Sequence, residues 1–295
     1  MAATTTSPPR TTARTTGRKS SPPGRWKSLA LTVGALAVVG GWAFPYLYMV
    51  LSSFKTPIDN LALPPKFVFE PTLANYREVL GNEDIMRFLR NSIIVATSST
   101  IVSLVLAVPA AYGLVRFERF RRSERVAYLF LILQLLPIIA VVFPYFAIAN
   151  ALDLRDTYWI LIITYTYWNV AWGIWLVRGF IQAVPRELDE AAMVDGCSRM
   201  RAMLTVTLPV ASKGIVAAGI LLFIGAWNEF TLAFFLTARE ARTYPTSIGF
   251  FLTHSGVRWG EMFVTATIGT APIVVFALLV RKSFISSMSF GAVKG

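Results

Sequence analysis

Apolar and polar residues are segregated into long blocks along this chain instead of alternating at short range. Six runs approach or exceed the ~20 apolar residues that a helix needs to cross a hydrocarbon core. They are Ser28–Phe54, Ser92–Val115, Val126–Leu152, Thr157–Val177, Gly214–Leu236 and Met262–Val280. Only Gly214–Leu236 contains a formally charged residue, Glu229. The pattern predicts an all-α membrane protein with six transmembrane helices. It divides the chain into a basic tail (1–27), a first transmembrane helix (28–54), an extracytoplasmic segment (55–87), a core of five transmembrane helices (88–282) with a loop at 179–213, and a C-terminal tail (283–295). The segment Lys55–Arg87 is the longest polar connection of its kind. It carries Pro57, Pro64, Pro65 and Pro71, then a helix-like stretch Leu73–Leu80 ended by Gly81, and its charges nearly cancel. A small structured cap is expected there.

Composition agrees. Hydrophobic residues make up 55% of the 295 and charged residues 15%, against roughly 25% charged in soluble domains. The first 23 residues are rich in Thr, Ser, Pro and Arg and are predicted to be disordered. The apolar run behind them is longer than the ~7–15 residues of a secretory signal core, so it reads as an uncleaved first helix. One cysteine (Cys197) and one histidine (His254) exclude an internal disulfide and a Cys/His metal centre. No metal, cofactor or catalytic residue is therefore expected; Cys197 reads as a packing residue and His254 as a solvated loop residue.

The net charge of +12 acquires meaning from its placement. Starting from an inside tail, the inside segments hold six Lys/Arg in Arg10–Lys27, five in Arg116–Arg125, five in Arg178–Lys213 and three in Arg281, Lys282 and Lys294. The other segments hold the minority, offset by acids. Positive residues are retained on the cytoplasmic side, so both termini are predicted to be cytoplasmic. The basic character is a topology signal, and no nucleic-acid partner is expected.

Several positions within the runs invite a functional reading. Pro45 is expected to kink the first helix, and Pro137 and Pro144 interrupt the third run, where freed carbonyls need protein or a water-filled path. The fourth run is rich in Tyr and Trp, which suit sugar stacking as well as helix packing. Glu229 lies 16 residues beyond Lys213, about 24 Å along a helix at ~1.5 Å per residue. With Trp227 and Asn228 it reads as the polar outer end of a pathway or gate.

The loop between the fourth and fifth runs is the most informative segment. Pro185 can open a helix whose first turns carry Glu187, Asp189 and Glu190, where the dipole favours acids. Ala191 and Ala192 keep it thin, Gly196 can supply the left-handed residue that ends it, and Ser198 can cap a second short helix. Leu208-Pro209 is expected to turn the chain back toward the membrane. A compact helix–turn–helix results, either projecting from the cytoplasmic face or lying in the lipid interface.

These residues carry a resemblance. Glu190-Ala191-Ala192, Asp195-Gly196 and Leu208-Pro209 resemble the EAA loop of binding-protein-dependent ABC-importer permeases, with Cys197 where alanine is common. Trp227-Asn228-Glu229-Phe230, the C-terminal Gly291-Ala292-Val293-Lys294-Gly295, and Ser53-Phe54-Lys55 with Asn75-Tyr76 resemble the carbohydrate-uptake, MalG-like branch. The resemblance implies a MetI/MalG-like permease core in a prokaryotic cytoplasmic membrane. It also implies a homologous second permease, a cytosolic ABC ATPase dimer and an extracytoplasmic solute-binding protein as partners, with membrane lipid around it. Glu190 would anchor the ATPase, Ala191 and Ala192 would pack against it, and the tail Gly291–Gly295 would reach the same interface. The outer loop Thr237–Gly260 would touch the binding protein. The chain has no GxxxxGK[ST] phosphate loop, so ATP hydrolysis belongs to another chain. A secondary transporter would need coupling-ion carboxylates near the midplane, and a membrane enzyme would need a catalytic constellation.

Overall fold

The computed structural model describes residues 25–117, 132, 134–254 and 256–292. The disorder predicted for the first 23 residues falls outside them. The chain divides into two units, Met1–Tyr48 and Met49–Gly295. In the first, the described residues form most of helix α1 (Arg25–Ser52), which contains Pro45 without interruption. The described part of the second unit is mostly helical. It comprises the end of α1, α2 (Pro57–Asn60), α3 (Ala74–Gly81), α4 (Glu83–Arg116), α5 (Ile138–Ala151), α6 (Tyr158–Gln182), α7 (Arg186–Val194), α8 (Arg199–Asn228), α9 (Thr231–Leu236), a 3-10 turn (Tyr244–Phe251), a two-residue-per-strand hairpin of β1 (Leu252–Thr253) and β2 (Gly256–Val257), and α10 (Trp259–Ala292).

Local chemistry explains where the helices begin. The Asn82 side chain accepts a hydrogen bond from the Ile85 backbone, and Glu83 and Asp84 occupy the first turn of α4, where the helix dipole favours negative charge. Thr157 caps α6 in the same manner. Helix α4 thus begins nine residues before the apolar run Ser92–Val115 does, because the cap and not hydropathy sets the boundary. The predicted cap between α1 and α4 is folded. The Asn75 amide donates to the carbonyls of Ser53 (2.9 Å) and Lys55 (2.8 Å), and the Ser53 and Tyr76 hydroxyls are 2.9 Å apart. Lys55 is fully buried, with its ammonium 5.3 Å from the Phe69 ring centroid, within cation–π range.

Five described helices are long and apolar enough to cross a membrane. Part of the third run, Val126–Leu152, falls outside the described residues. Its described part is not one helix: residues 134–136 form a turn and bend, and α5 starts only after Pro137. Proline at that position fits a helix start, since its missing N–H costs nothing there. The fifth run, Gly214–Leu236, is likewise divided. Helix α8 ends at Asn228, Glu229 is extended with ψ 118°, and α9 begins at Thr231.

The centre of the second unit is the packing of α4, α6 and α8. A side chain at Gly173 of α6 would meet Ala107 of α4 at 2.9 Å and Leu222 of α8 at 3.2 Å; one at Gly219 of α8 would meet Leu104 at 2.9 Å. Gly214 of α8 lies directly against the Phe180 ring. Small residues at such crossings let backbones approach, which is how helices associate in lipid. Buried hydroxyls on the same faces bond back to their own helices, as Ser103 does to the Ser99 carbonyl (2.6 Å) and Thr164 to the Ile160 carbonyl (2.7 Å). Away from this centre, α6 exposes Trp159, Ile163, Trp172 and Trp175, and α10 exposes Val274, Val275, Leu278 and Leu279.

Gly214→Ala tests the contact, with Gly179→Ala of α6, where a side chain enters open space, as the control. Both gain about 1 kcal/mol in helix propensity. Overpacking costs typically ~1–3 kcal/mol, so Gly214→Ala is expected to lower the melting temperature in detergent while Gly179→Ala maintains or raises it.

Candidate functional site

Helix α7 stands out as a short element with two unlike sides. Pro185 precedes it in extended geometry (ψ 134°), and Gly196 ends it with φ +87°, a conformation that side chains resist. The closing turn satisfies the last carbonyls: Gly196 N–H donates to Met193 and Cys197 N–H to Ala192. Ser198 then caps the first turn of α8 through Arg201 N–H (3.3 Å). Of the helix–turn–helix expected from sequence, the first helix and the turn are present, while the second helix is not short and is the beginning of α8.

One side of α7 is open. Glu190, Ala191, Val194, Asp195 and Gly196 are exposed, and Ala192 is half-buried. The Glu190 carboxylate pairs with Arg186 one turn earlier at 3.1 Å, an exposed contact of small energetic weight. The other side is locked down by Asp189, only 2% exposed. Asp189 Oδ2 lies 2.5 Å from Arg116 Nε at the last residue of α4, and its Oδ1 accepts from the Thr207 hydroxyl. Arg116 also donates to the Val184 carbonyl at 2.9 Å. Removing one partner of such a buried pair typically costs ~3–5 kcal/mol. Sequence reading assigns Asp189 only to the helix dipole and Arg116 only to topology. The signal available was two adjacent acids in one helix, which point about 100° apart.

The turn expected at Leu208-Pro209 is absent. The chain runs from Arg199 to Asn228 as one 30-residue helix, with residues Met203–Thr207 in π-helical geometry. Leu208 N–H donates to the Met203 carbonyl five residues back, and Pro209, which has no N–H, sits at the start of the α-helical part. The wider π turn accommodates the proline that would otherwise break the run. Leu208 is half-buried and Pro209 exposed. Near this loop, the Arg199 guanidinium lies 5.2 Å from the Phe117 ring centroid.

At the opposite end of α8, the Trp227 ring is buried, stacks on Phe223 and donates to the Gly269 carbonyl of α10 at 2.9 Å. The exposed Asn228 bonds back to Ile224. The Glu229 carboxylate accepts from the N–H groups of Leu232 (3.0 Å) and Ala233 (3.3 Å), capping α9. Trp227, Asn228 and Glu229 thus define the helix break, with Asn228 alone of the three exposed. The tail is described only as far as Ala292, where α10 ends; Val293, Lys294 and Gly295 lie outside the described residues.

Sequence reasoning passed over a second constellation at this end. Asp156, in the left-handed region at φ +56°, accepts four backbone hydrogen bonds of 3.0 Å each from Ala238, Arg239, Glu240 and Ala241. Asn91 donates to the carbonyls of Glu240 and Arg242 and accepts from the Tyr158 hydroxyl. The segment after α9 is therefore held in one shape from two sides. Among the described residues, no cluster of three or more His, Cys, Asp or Glu could hold a metal ion. His254 is exposed in the hairpin.

Burial pushes the Asp156 carboxyl up, but the four backbone donors together outweigh it and hold the carboxyl below its ordinary value. Its stabilising contribution is complete above the unfolded carboxyl value, ~3.9, and is lost as pH falls through the depressed folded value. Amides 238–241, corrected for intrinsic rate, are expected to keep their hydrogen-exchange protection from pH 8 to 5 and lose it only in stronger acid. In Asp156→Asn, protection should fall even at pH 7 by about 1.5–3 kcal/mol, the scale of hydrogen bonds to a charged group.

Comparison with known proteins agrees with this architecture. The family described as "Binding-protein-dependent transport system inner membrane component" matches residues 99–290. A probable ABC transporter permease protein, y4oR, of Sinorhizobium fredii is 32% identical over 86% of this chain and 91% of its own length. The trehalose/maltose transport system permease protein MalG of Thermococcus litoralis is 33% identical over 91% of this chain and 98% of its own. A crystal structure of a bacterial ABC transporter involved in the import of alginate contains a chain that superimposes with a TM-score of 0.72 at 19% identity, covering 90% of this chain and 100% of that one. The fold is shared with that structure, and on the sequence matches the chain belongs to the family of inner membrane permease components of binding-protein-dependent ABC transport systems.

Proposed function

We propose that this permease carries a sugar or related solute inward across a prokaryotic cytoplasmic membrane, driven by a separate ABC ATPase that docks on α7. The observation that carries the reading is the two-sidedness of α7. Its Glu190–Gly196 side is exposed apart from the half-buried Ala192 and Met193, while its other side is bonded to α4 and α8 through Asp189. An exposed thin helix with a carboxylate at its edge suits a groove on a partner, and a helix fixed to two membrane spans can pass on the partner's motion. In this reading Glu190 is the electrostatic anchor, Ala191 and Ala192 allow close approach, Asp195 and Gly196 form the turn, and Leu208-Pro209 lead into the membrane.

The run Val126–Leu152 supplies a sixth span, and both termini are cytoplasmic, as the excess of Lys and Arg at the tail, at Arg116–Arg125 and at Arg178–Lys213 supports. A homologous permease covers the apolar faces left open on the long helices, together with lipid. An extracytoplasmic solute-binding protein docks at the opposite end, where the segment Ala238–Tyr244 is held by Asp156, Asn91 and Ser92. Trp227, Asn228 and Glu229 lie at the outer end of the path, and the tail Gly291–Gly295 reaches the ATPase interface. The sugar assignment rests on the relatives named for trehalose and maltose transport and on the aromatic surface of α6.

Glu190→Lys reverses the anchor without touching a buried group. Membrane insertion and melting temperature are expected to match the parent, while ATPase captured with the tagged full-length chain falls at least tenfold. Parent-level capture by the variant would remove Glu190 from the interface.

A further inference from the structure

We infer that the buried set Arg116–Asp189–Thr207 is the positioning element through which movement of α7 reaches the membrane helices, separate from the surface that binds the ATPase. The inference rests on the proposed docking of an ATPase on α7 and names the linkage inside it.

The geometry singles out these three residues. Helix α7 has nine residues, too short to be stable in isolation, so its orientation comes from what holds it. Asp189 is its one buried residue. The two carboxylate oxygens are divided between two membrane helices: Oδ2 pairs with Arg116, the last residue of α4, at 2.5 Å, and Oδ1 accepts from Thr207 at the end of the π segment of α8. Arg116 reaches further, to the Val184 carbonyl at 2.9 Å in the strand of chain that leads into α7. Arg116, Asp189 and Thr207 are all at most 5% exposed. No other described ion pair in the chain is buried on both sides.

A lever needs a stiff joint more than a strong one. An exposed pair gives way at small cost because water replaces each partner. A buried pair cannot separate without leaving a desolvated charge behind, so the joint moves as a body or not at all. Two bonds to two different helices also fix rotation, which a single bond would leave free. Glu190, on the neighbouring position, faces outward and touches none of the three side chains; its partner Arg186 reaches only the Arg116 carbonyl, at 3.4 Å. Docking and transmission are thereby assigned to adjacent acids about one-quarter turn apart on the same helix.

The test uses the complex captured through a tag on the full-length chain, with its bound ATPase, in lipid nanodiscs. Hydrogen exchange is measured with and without ATP and vanadate, which arrests the ATPases in their closed state. In the parent, trapping is expected to change exchange both at α7 and in the distant segment 237–244. Asp189→Asn removes the charge but keeps the side chain's shape. It is expected to retain ATPase capture, ATP hydrolysis and the response at α7, while the response in 237–244 falls at least fivefold. A merely structural role would lower the yield of complex and leave the ratio of the two responses unchanged. If Asp189→Asn does not assemble, Thr207→Val, which leaves the Arg116–Asp189 pair intact, decides the matter: at least a twofold fall in the distant response supports the linkage. A parent-like ratio in an assembled Asp189→Asn complex, or in Thr207→Val where that variant decides, overturns it. A parent that captures no ATPase, or shows no nucleotide response anywhere, sinks the functional reading instead.

Discussion

The close approach of α4, α6 and α8 is the constraint on which the rest of this molecule depends. In lipid, burying an apolar side chain against another helix gains little over burying it against acyl chains, so association relies on packing and on satisfied polar groups. Gly173, Gly214 and Gly219 let the three backbones come within reach of one another. Hydroxyls such as Ser99, Ser103 and Thr164 sit in the same interfaces because their protons bond to nearby helical carbonyls. Once the three helices are fixed, their ends are fixed too. One end presents Arg116 and Thr207 to α7, and the other presents Asn91, Ser92 and Tyr158 to the segment after α9.

Each end then uses the same device with different parts. At one, a carboxylate is divided between a guanidinium and a hydroxyl; at the other, Asp156 gathers four backbone N–H groups. In both cases the carboxylate has its lone pairs filled, which for the buried Asp189 is the condition for its burial to be tolerated and for the half-buried Asp156 offsets partial desolvation. Short connecting segments thereby acquire the rigidity of the helices they touch. On the docking proposed above, of an ATPase at one end and a solute-binding protein at the other, both contact surfaces are continuous with the core.

Much of this was legible in the order of residues. The long uncharged runs located the five described helices that are long and apolar enough to cross a membrane. Pro185, Gly196 and Ser198 marked the first helix of the loop, its turn and the start of the next helix, because prolines, left-handed glycines and capping serines act through local backbone geometry. The features that escaped depend on neighbours distant in sequence. Nothing local distinguishes Asp189 from Glu190 in the acidic turn; only Arg116, 73 residues earlier, does. Asp156 looks like a loop acid until the segment beginning 82 residues later folds over it. Glu229 was read by depth along one continuous helix, whereas the chain breaks there and the carboxylate caps α9. Leu208-Pro209 looked like a corner because a proline interrupts an α-helix, but a π turn removes the conflict.

That π turn sets the angular phase between α7 and the membrane. Five-residue hydrogen bonding over Met203–Thr207 amounts to one residue inserted into an otherwise α-helical run. Rewinding the same five residues as ordinary α-helix would turn everything on its loop side by about one residue's rotation, roughly 100°, relative to the membrane part. Thr207 would then no longer meet Asp189. The winding of this stretch is consequently as decisive as any side chain, although Met203–Thr207 contains no charged residue.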